Sequence, residues 1–571
     1  MNDLSDAVEQ LTQTVVDLQR RVSALETSAP AAPPLRAHPP TFTPALPAAA
    51  SASTAHESGV FSVLGKAMLG IAGAYLLRAL AESTALPRLP VVAVSIAYAF
   101  LWLVPATRAP VKAWFSSVAW SVTSALILVP MLWELTLRFR ILPSTVTAAI
   151  LCAFAISASA LAWKRHFTEV AWVADAATGI AALVLAIATR DLVPFLFALL
   201  LIAIAGEVAA ARHRTLRVRP LVAAAADLAL FALVWVYSGP ASSRADYPSV
   251  AISLLLAFAP ALLLIYAASA AAQTLLLRRG ISVFEIAQTL IAALLTVWTV
   301  LAFWPGHGPL LLGSLCLLAS AAGYAVAFAW FDRRHAQRNY HVYSTGSLTL
   351  LLAGSFLSLS RGWLPLCLGL AAVASILLGT YASRRTLQFH ALALLAAAAF
   401  SSGLLVFVLR AMAGVFPPSP GWIVCLTTAC TVIGYAAVAR TGEEPWAALV
   451  LRLFFAALAV SSAGALLVWT FVRLTMSGAA PAAESIAVLR TLVSCAAALL
   501  LAWCGSRWQR RELIWLAWTT LALIAFKLLF EDLRHGHLGF TAASIFLYAV
   551  TILLVPRLLH SRSKAAPCVA E

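Results

Sequence analysis

Asp191-Leu-Val-Pro194-Phe-Leu-Phe-Ala-Leu-Leu-Leu-Ile-Ala-Ile-Ala-Gly206-Glu207-Val-Ala-Ala-Ala211 decides the fold. Between its two carboxylates the stretch carries no charge at all. Wound as an α-helix at about 1.5 Å per residue, it covers about 30 Å, the depth of a bilayer's hydrocarbon core. Working outward, runs of the same kind follow one another from residue 60 to residue 559, eighteen in number. The chain is 62% hydrophobic and 11% charged, with a mean hydropathy of +0.91. A soluble domain is nearer to about 25% charged, so this chain has too little polar surface to cover a water-facing globule. Lipid must be its solvent, and the reading is all-α: a polytopic transmembrane helix bundle of about 18 spans over residues 59–560.

The formal charge of +16 does not read as a nucleic-acid face, which needs contiguous cations on a soluble module. The cations sit in short clusters between apolar runs. With the N-terminus placed in the cytoplasm, 22 fall on the inner side and 8 on the outer. That asymmetry is the positive-inside pattern, and it puts both termini in the cytoplasm. No loop between runs is longer than about a dozen residues, so no soluble catalytic domain is expected, and no phosphate-binding glycine loop appears. The eight cysteines contain no C-x-x-C pair, which leaves neither a zinc nor a redox motif. No metal and no cofactor are expected.

Ahead of the array, Leu4, Leu11, Leu18 and Leu25 recur every seventh residue, with Val8, Val15 and Val22 four places after the first three. β-branched a positions with Leu at d favour a two-stranded parallel coiled coil. Residues 1–28 are therefore expected to form a coiled coil that makes a homodimer or homo-oligomer through residues 4–25. The acidic start, Asp3, Asp6 and Glu9, is wrong for a secretory signal. Residues 29–58, rich in proline and alanine, read as an extended linker, and residues 561–571 as a cytoplasmic tail.

Polar groups inside lipid are the candidates for function, because a charge at the bilayer centre costs at least about 2.5–3.5 kcal/mol. Asp175 and Asp227 lie too deep in their runs to reach the interface. Arg452 and Arg490 are the cations at similar depth and are possible partners. Lys66, Glu207 and Glu285 stand close enough to the inner boundary to snorkel, and His390 reads as a hydrogen-bonded packing residue. At the outer rim, Arg78 and Glu82, Glu134 and Arg138, and Lys527 and Glu531 are each four apart, which places each pair on one helix face. Prolines mark the outer loops every 50–60 residues or so, the period of a repeated two-helix hairpin.

The last such rim holds Lys527-Leu-Leu-Phe-Glu531-Asp532-Leu-Arg534-His535-Gly-His537-Leu-Gly539. Together with the closing Val555-Pro556-Arg557 and the early Gly65-Lys66, Gly70 and Gly73, it resembles the bacterial membrane proteins grouped as domain of unknown function 2339. The resemblance implies a many-spanned protein of the bacterial inner membrane, no established activity, and a recurring Lys and Asp that map to Lys527 and Asp532. Where that family often opens its last helix with Arg, this chain has Phe540-Thr541. On an ideal helix residues five apart are about 140° round from one another. For Lys527 to meet Asp532 the helix must end near Phe530. Otherwise Lys527 pairs with Glu531 and Asp532 is left over.

Three functions fit these features. The first is a protein that binds or moves an amphiphilic envelope component through an outward-facing polar cavity. The second is an intramembrane transferase at the outer lip, using His535 or His537 with Asp532 as base. The third is a scaffold that recruits partners by its coiled coil.

Overall fold

The computed structural model describes residues 63–76, 79, 88–108, 114–165, 168–212, 218–334, 336–382, 384–416, 419–440, 446–475, 483–532 and 538–560. The expected coiled coil, the linker and the C-terminal tail lie outside the described residues. Every regular element among those described is helical. In chain order they are α1 Val63–Leu76, α2 Pro90–Ala106, α3 Trp114–Trp133, α4 Ser144–Arg165, α5 Thr168–Thr189, α6 Leu192–Ala211 and α7 Arg219–Ser238. There follow α8 Ile252–Ala271, α9 Val283–Phe303, α10 Gly308–Val326, α11 Gln337–Ser358, α12 Trp363–Tyr381, α13 Arg385–Ser401 and α14 Leu404–Met412. The array closes with α15 Trp422–Ala439, α16 Trp446–Thr475, α17 Ala483–Trp508, α18 Arg511–Lys527 and α19 Leu538–His560.

Each apolar run of the sequence falls on one of these helices. Fourteen are long and apolar enough to cross a membrane, and up to 15 spans result if the bent pair α13–α14 is one. The remaining runs differ for physical reasons. α1 and α2 are shorter, and α11 opens with the polar string Gln337-Arg-Asn-Tyr-His341. The chain is a multi-pass membrane protein by these helices.

A helix that is apolar all round must still choose which face to bury, and here size decides. In α5 the buried stripe is Val170, Ala171, Ala174, Asp175, Thr178, Ala181, Ala182 and Leu185, while Ile180, Val184 and Ile187 on the other side are exposed. Lipid tails are as apolar as Ile, so burying Ile gains little, whereas small residues let two helices approach. α10 and α11 come close enough for their backbones to touch. A Cβ on Gly354 would stand 2.8 Å from the Gly313 carbonyl, and one on Gly313 would stand 2.9 Å from that of Gly354.

Sequential helices pack side by side, and the buried residues form successive cores. The largest joins α2 to α9, a second joins α11, α12, α13, α15 and α16, and a third joins α16 to α19. Two irregularities matter below. α3, α8, α10 and α18 each end in one wide π turn, Glu134–Arg138, Ala272–Leu276, Ala327–Phe331 and Leu528–Asp532. Between α13 and α14 the axis bends by 67°, at Gly403, whose φ of 76° only glycine adopts without strain.

Candidate functional site

The end of α18 carries the residues singled out above. Lys527 does meet Asp532, and the helix does not stop at Phe530 to allow it. The π turn Leu528–Asp532 continues the helix with wider bonding, and an i→i+5 turn brings residues five apart nearly one above the other. Lys527 Nζ lies 2.9 and 3.1 Å from the two Asp532 carboxylate oxygens. It also donates to the Ala487 carbonyl at 2.9 Å and to Thr491 Oγ1 at 2.8 Å, both on α17. Three donors of one ammonium thus meet three different groups. The expected Lys527–Glu531 pair is absent. Glu531 turns instead to α17, where Arg490 Nη1 donates to its Oε1 at 2.5 Å. Asp532, expected to be left over, is the better held carboxylate, with a side chain only 3% exposed. Its backbone carbonyl accepts from Thr541 Oγ1 at 3.1 Å, which ties in the start of α19.

Two ion pairs therefore lie side by side on α17 and α18, one sealed and one at a lip. Lys527 and Arg490 both line a half-open cavity of about 790 Å³ between α14, α16, α17 and α18. Glu531, Thr519 and Thr520 also line it, the remaining walls are apolar or small, Gly464, Ser494 and Leu523 among them, and Met412 of α14 closes one side. Phe454 and Phe526, more than half exposed, flank it where it meets the lipid-facing surface. Arg490 is buried with its side chain 9% exposed, whereas Glu531 is 41% exposed. Among the described residues Glu531 is the hydrogen-bond partner of Arg490. The turn after α14 passes close by, with the Cβ position of Gly414 3.2 Å from the Arg490 guanidinium. Arg78, Glu82, Arg534, His535 and His537 lie outside the described residues.

A second polar centre sits where α6 ends and α7 begins. Arg219 donates to Glu207 through two nitrogens, at 3.0 and 2.6 Å, and Ser269 Oγ donates to the same carboxylate at 2.5 Å. Glu285 stands 3.8 Å from Arg219 and closes a capping box with Ser282 at the start of α9. Expected to snorkel, Glu207 and Glu285 are instead buried, 7% and 5% exposed. The reason is the shared guanidinium, which makes burial tolerable where water would otherwise be needed. Sequence reasoning had Arg219 as one loop cation among several and so missed its role. The Ser282-x-x-Glu285 spacing was a legible signal.

The deep aspartates do not meet arginines. Asp175 accepts from Ser159 of α4 at 3.3 Å, and Asp227 accepts from Gln288 Nε2 of α9 at 2.8 Å. Arg490 is engaged with Glu531, and Arg452 is buried in α16, away from the core that holds α5 and α7. His390 is buried and hydrogen-bonded to the Tyr324 hydroxyl at 3.0 Å. Among the described residues no group of three metal-binding side chains is assembled. Compared with protein-family models, curated proteins and solved structures, the chain matches none.

Proposed function

We propose that the protein holds an anionic, chain-bearing amphiphile, its chain in the cavity between α14, α16, α17 and α18 and its head group on Arg490. Arg490 carries the reading: a buried guanidinium at the edge of a long apolar cavity, faced by a carboxylate that is itself half in solvent. Lys527 has its hydrogen bonds met by Ala487, Thr491 and Asp532 and offers a ligand little. A guanidinium has five donors in a planar fork that matches phosphate or carboxylate. A head group that displaces Glu531 gains two parallel bonds where one stood. The volume, about 790 Å³, lies within the roughly 300–1,000 Å³ of ordinary ligand sites.

The finer topology belongs to the same proposal. Eighteen crossings, adding α1, α2, α11 and the pair α13–α14 to the fourteen, with both termini cytoplasmic, put the Lys527 end on the outside of a bacterial inner membrane. The occupant is then an envelope component, held or moved by a protein paired through residues 4–25. The cation asymmetry of the loops supports that orientation. The bond between Lys527 and Asp532 fits the likeness to the domain of unknown function 2339 proteins, whose recurring pair these two residues represent.

The test is lipid analysis of the full chain purified in mild detergent. Wild-type protein is expected to retain an anionic lipid class that Arg490→Ala loses and Arg490→Lys retains in part. A Cβ on Gly464 would meet no atom within 4 Å, so Gly464→Phe can enter the cavity and is expected to expel the chain while leaving Arg490 intact. Unchanged lipid content in both Arg490→Ala and Gly464→Phe overturns the proposal.

A further inference from the structure

We infer that Asp175 is a proton-binding site within the membrane, loaded and emptied from the Arg219 end through a cavity the size of one water molecule. It is separate from the α17–α18 cavity and does not rest on it.

Asp175 lies about 10 Å along α5 from the helix start at about 1.5 Å per residue. α5 begins at the end of the bundle where α6 finishes and α7 opens, so Glu207 and Arg219 stand below it on the way out. The small cavity is lined by Asp175, Glu207, Arg219 and Tyr266, with Gly206 beside them, and has a volume of about 10 Å³. That is room for the centre of one water, and four polar groups surround it, enough to hold one.

Charge balance then decides the state of Asp175. Four helices bring groups to it. Ser159 comes from α4, Glu207 from α6, Arg219 from α7 and Tyr266 from α8, and Asp227 of α7 acts on Tyr266. α3 also packs on α5, and its nearest ionisable residues, Glu134 and Arg138, sit at the opposite end of the helix. The one cation of this group is Arg219. It already holds Glu207 through two bonds and has Glu285 at 3.8 Å. A third carboxylate has no positive charge left to meet. Ser159 supplies a single hydroxyl, 3.3 Å from both oxygens, and one proton cannot serve two acceptors well. One turn on, the Thr178 hydroxyl is buried with no hydrogen-bond partner, so the same face of α5 has further polar capacity unspent. With 3% exposure, one hydroxyl partner and no cation of its own, this is the carboxyl on which the inferred proton sits.

Release moves the carboxyl proton to the cavity water and on past Glu207, leaving a carboxylate held by Ser159 and that water. Uptake is the reverse, and no other reactant is required. A carboxyl that gains and loses a proton from one side, inside a chain of crossing helices, is the part a proton-coupled movement needs.

The experiment uses the full chain in detergent. Infrared spectra near neutral pH are expected to show a carboxylic-acid C=O band that Asp175→Asn removes, Asp175→Glu shifts and Asp227→Asn leaves. Dicyclohexylcarbodiimide, which attacks protonated carboxyls in apolar surroundings, is expected to label Asp175 in peptide mass spectra. Ala203→Val enlarges a buried side chain that lines the cavity and is expected to slow deuterium exchange of the band several-fold. No acid band, or a band that survives Asp175→Asn, overturns the site. Exchange as fast in Ala203→Val as in wild type overturns the cavity as its route.

Discussion

Replacing Asp532 by Asn removes one charge and keeps the side chain's shape. Lys527 Nζ stands 2.9 Å from Asp532 Oδ1, with side chains 12% and 3% exposed. At that distance and an effective dielectric of about 20 the Coulomb attraction is about 6 kcal/mol, but desolvation of both ions offsets much of it. Taking away one partner of a buried pair costs about 3–5 kcal/mol, because the remaining charge is stranded. Lys527 keeps Ala487 and Thr491 as acceptors, so the lower figure applies. About 3 kcal/mol is more than a hundredfold in the folded-to-unfolded ratio. Unfolding in mixed micelles, followed by tryptophan fluorescence and circular dichroism, measures it. Lys527→Met alone strands the carboxylate and is expected to cost as much. The double variant strands neither and is expected to be more stable than the sum of the singles predicts. An Asp532→Asn protein within about 0.5 kcal/mol of wild type, or strictly additive singles, refutes the view that the two buried charges at the end of α18 stabilise each other.

The pair between Arg190 and Asp246, with side chains 54% and 63% exposed, makes the opposite case: Arg190→Ala is expected to change stability by less than about 1 kcal/mol, with any effect vanishing in high salt. Gly354→Val would drive a side chain against the Gly313 carbonyl. A loss of about 1–3 kcal/mol is expected in the same unfolding assay, and wild-type stability would show that α10 and α11 part easily.

Much of the architecture could be read from composition, because the cost of unpaired backbone groups in lipid leaves a chain this apolar little but helices. Run length was enough to find nearly every element. It could not rank them, since a run such as α11 is long but opens with Gln, Arg and Asn, while α1 and α2 stop short. The burial stripe of α5 was illegible by hydrophobicity alone. Ala174 and Ile180 are both apolar, and only the packing partner tells which of them faces inward. Pairing was least legible of all. Lys527, Glu531 and Asp532 were rightly placed on one helix end, but the choice between i+4 and i+5 depends on a π turn that no residue type announces. The arginines set against Asp175 and Asp227 matched in depth, yet depth is one coordinate of three.

The two polar centres solve the same problem in different ways, and the difference argues for different uses. At the end of α18 the charges balance, Lys527 with Asp532 and Arg490 with Glu531. Each charge there has an opposite charge beside it, so any ligand must compete with Glu531, the exposed member. Around Arg219 the acids outnumber the cation that faces them. Arg219 cannot meet Glu207, Glu285 and Asp175 equally, and the proton inferred on Asp175 makes up the difference. A balanced pair beside a large apolar cavity suits exchange of one anion for another. An unbalanced group beside a water-sized cavity suits exchange of the smallest cation. Were both centres merely anchors, the balanced arrangement would have served twice, and the surplus of buried carboxyls around Arg219 would be a cost with no return.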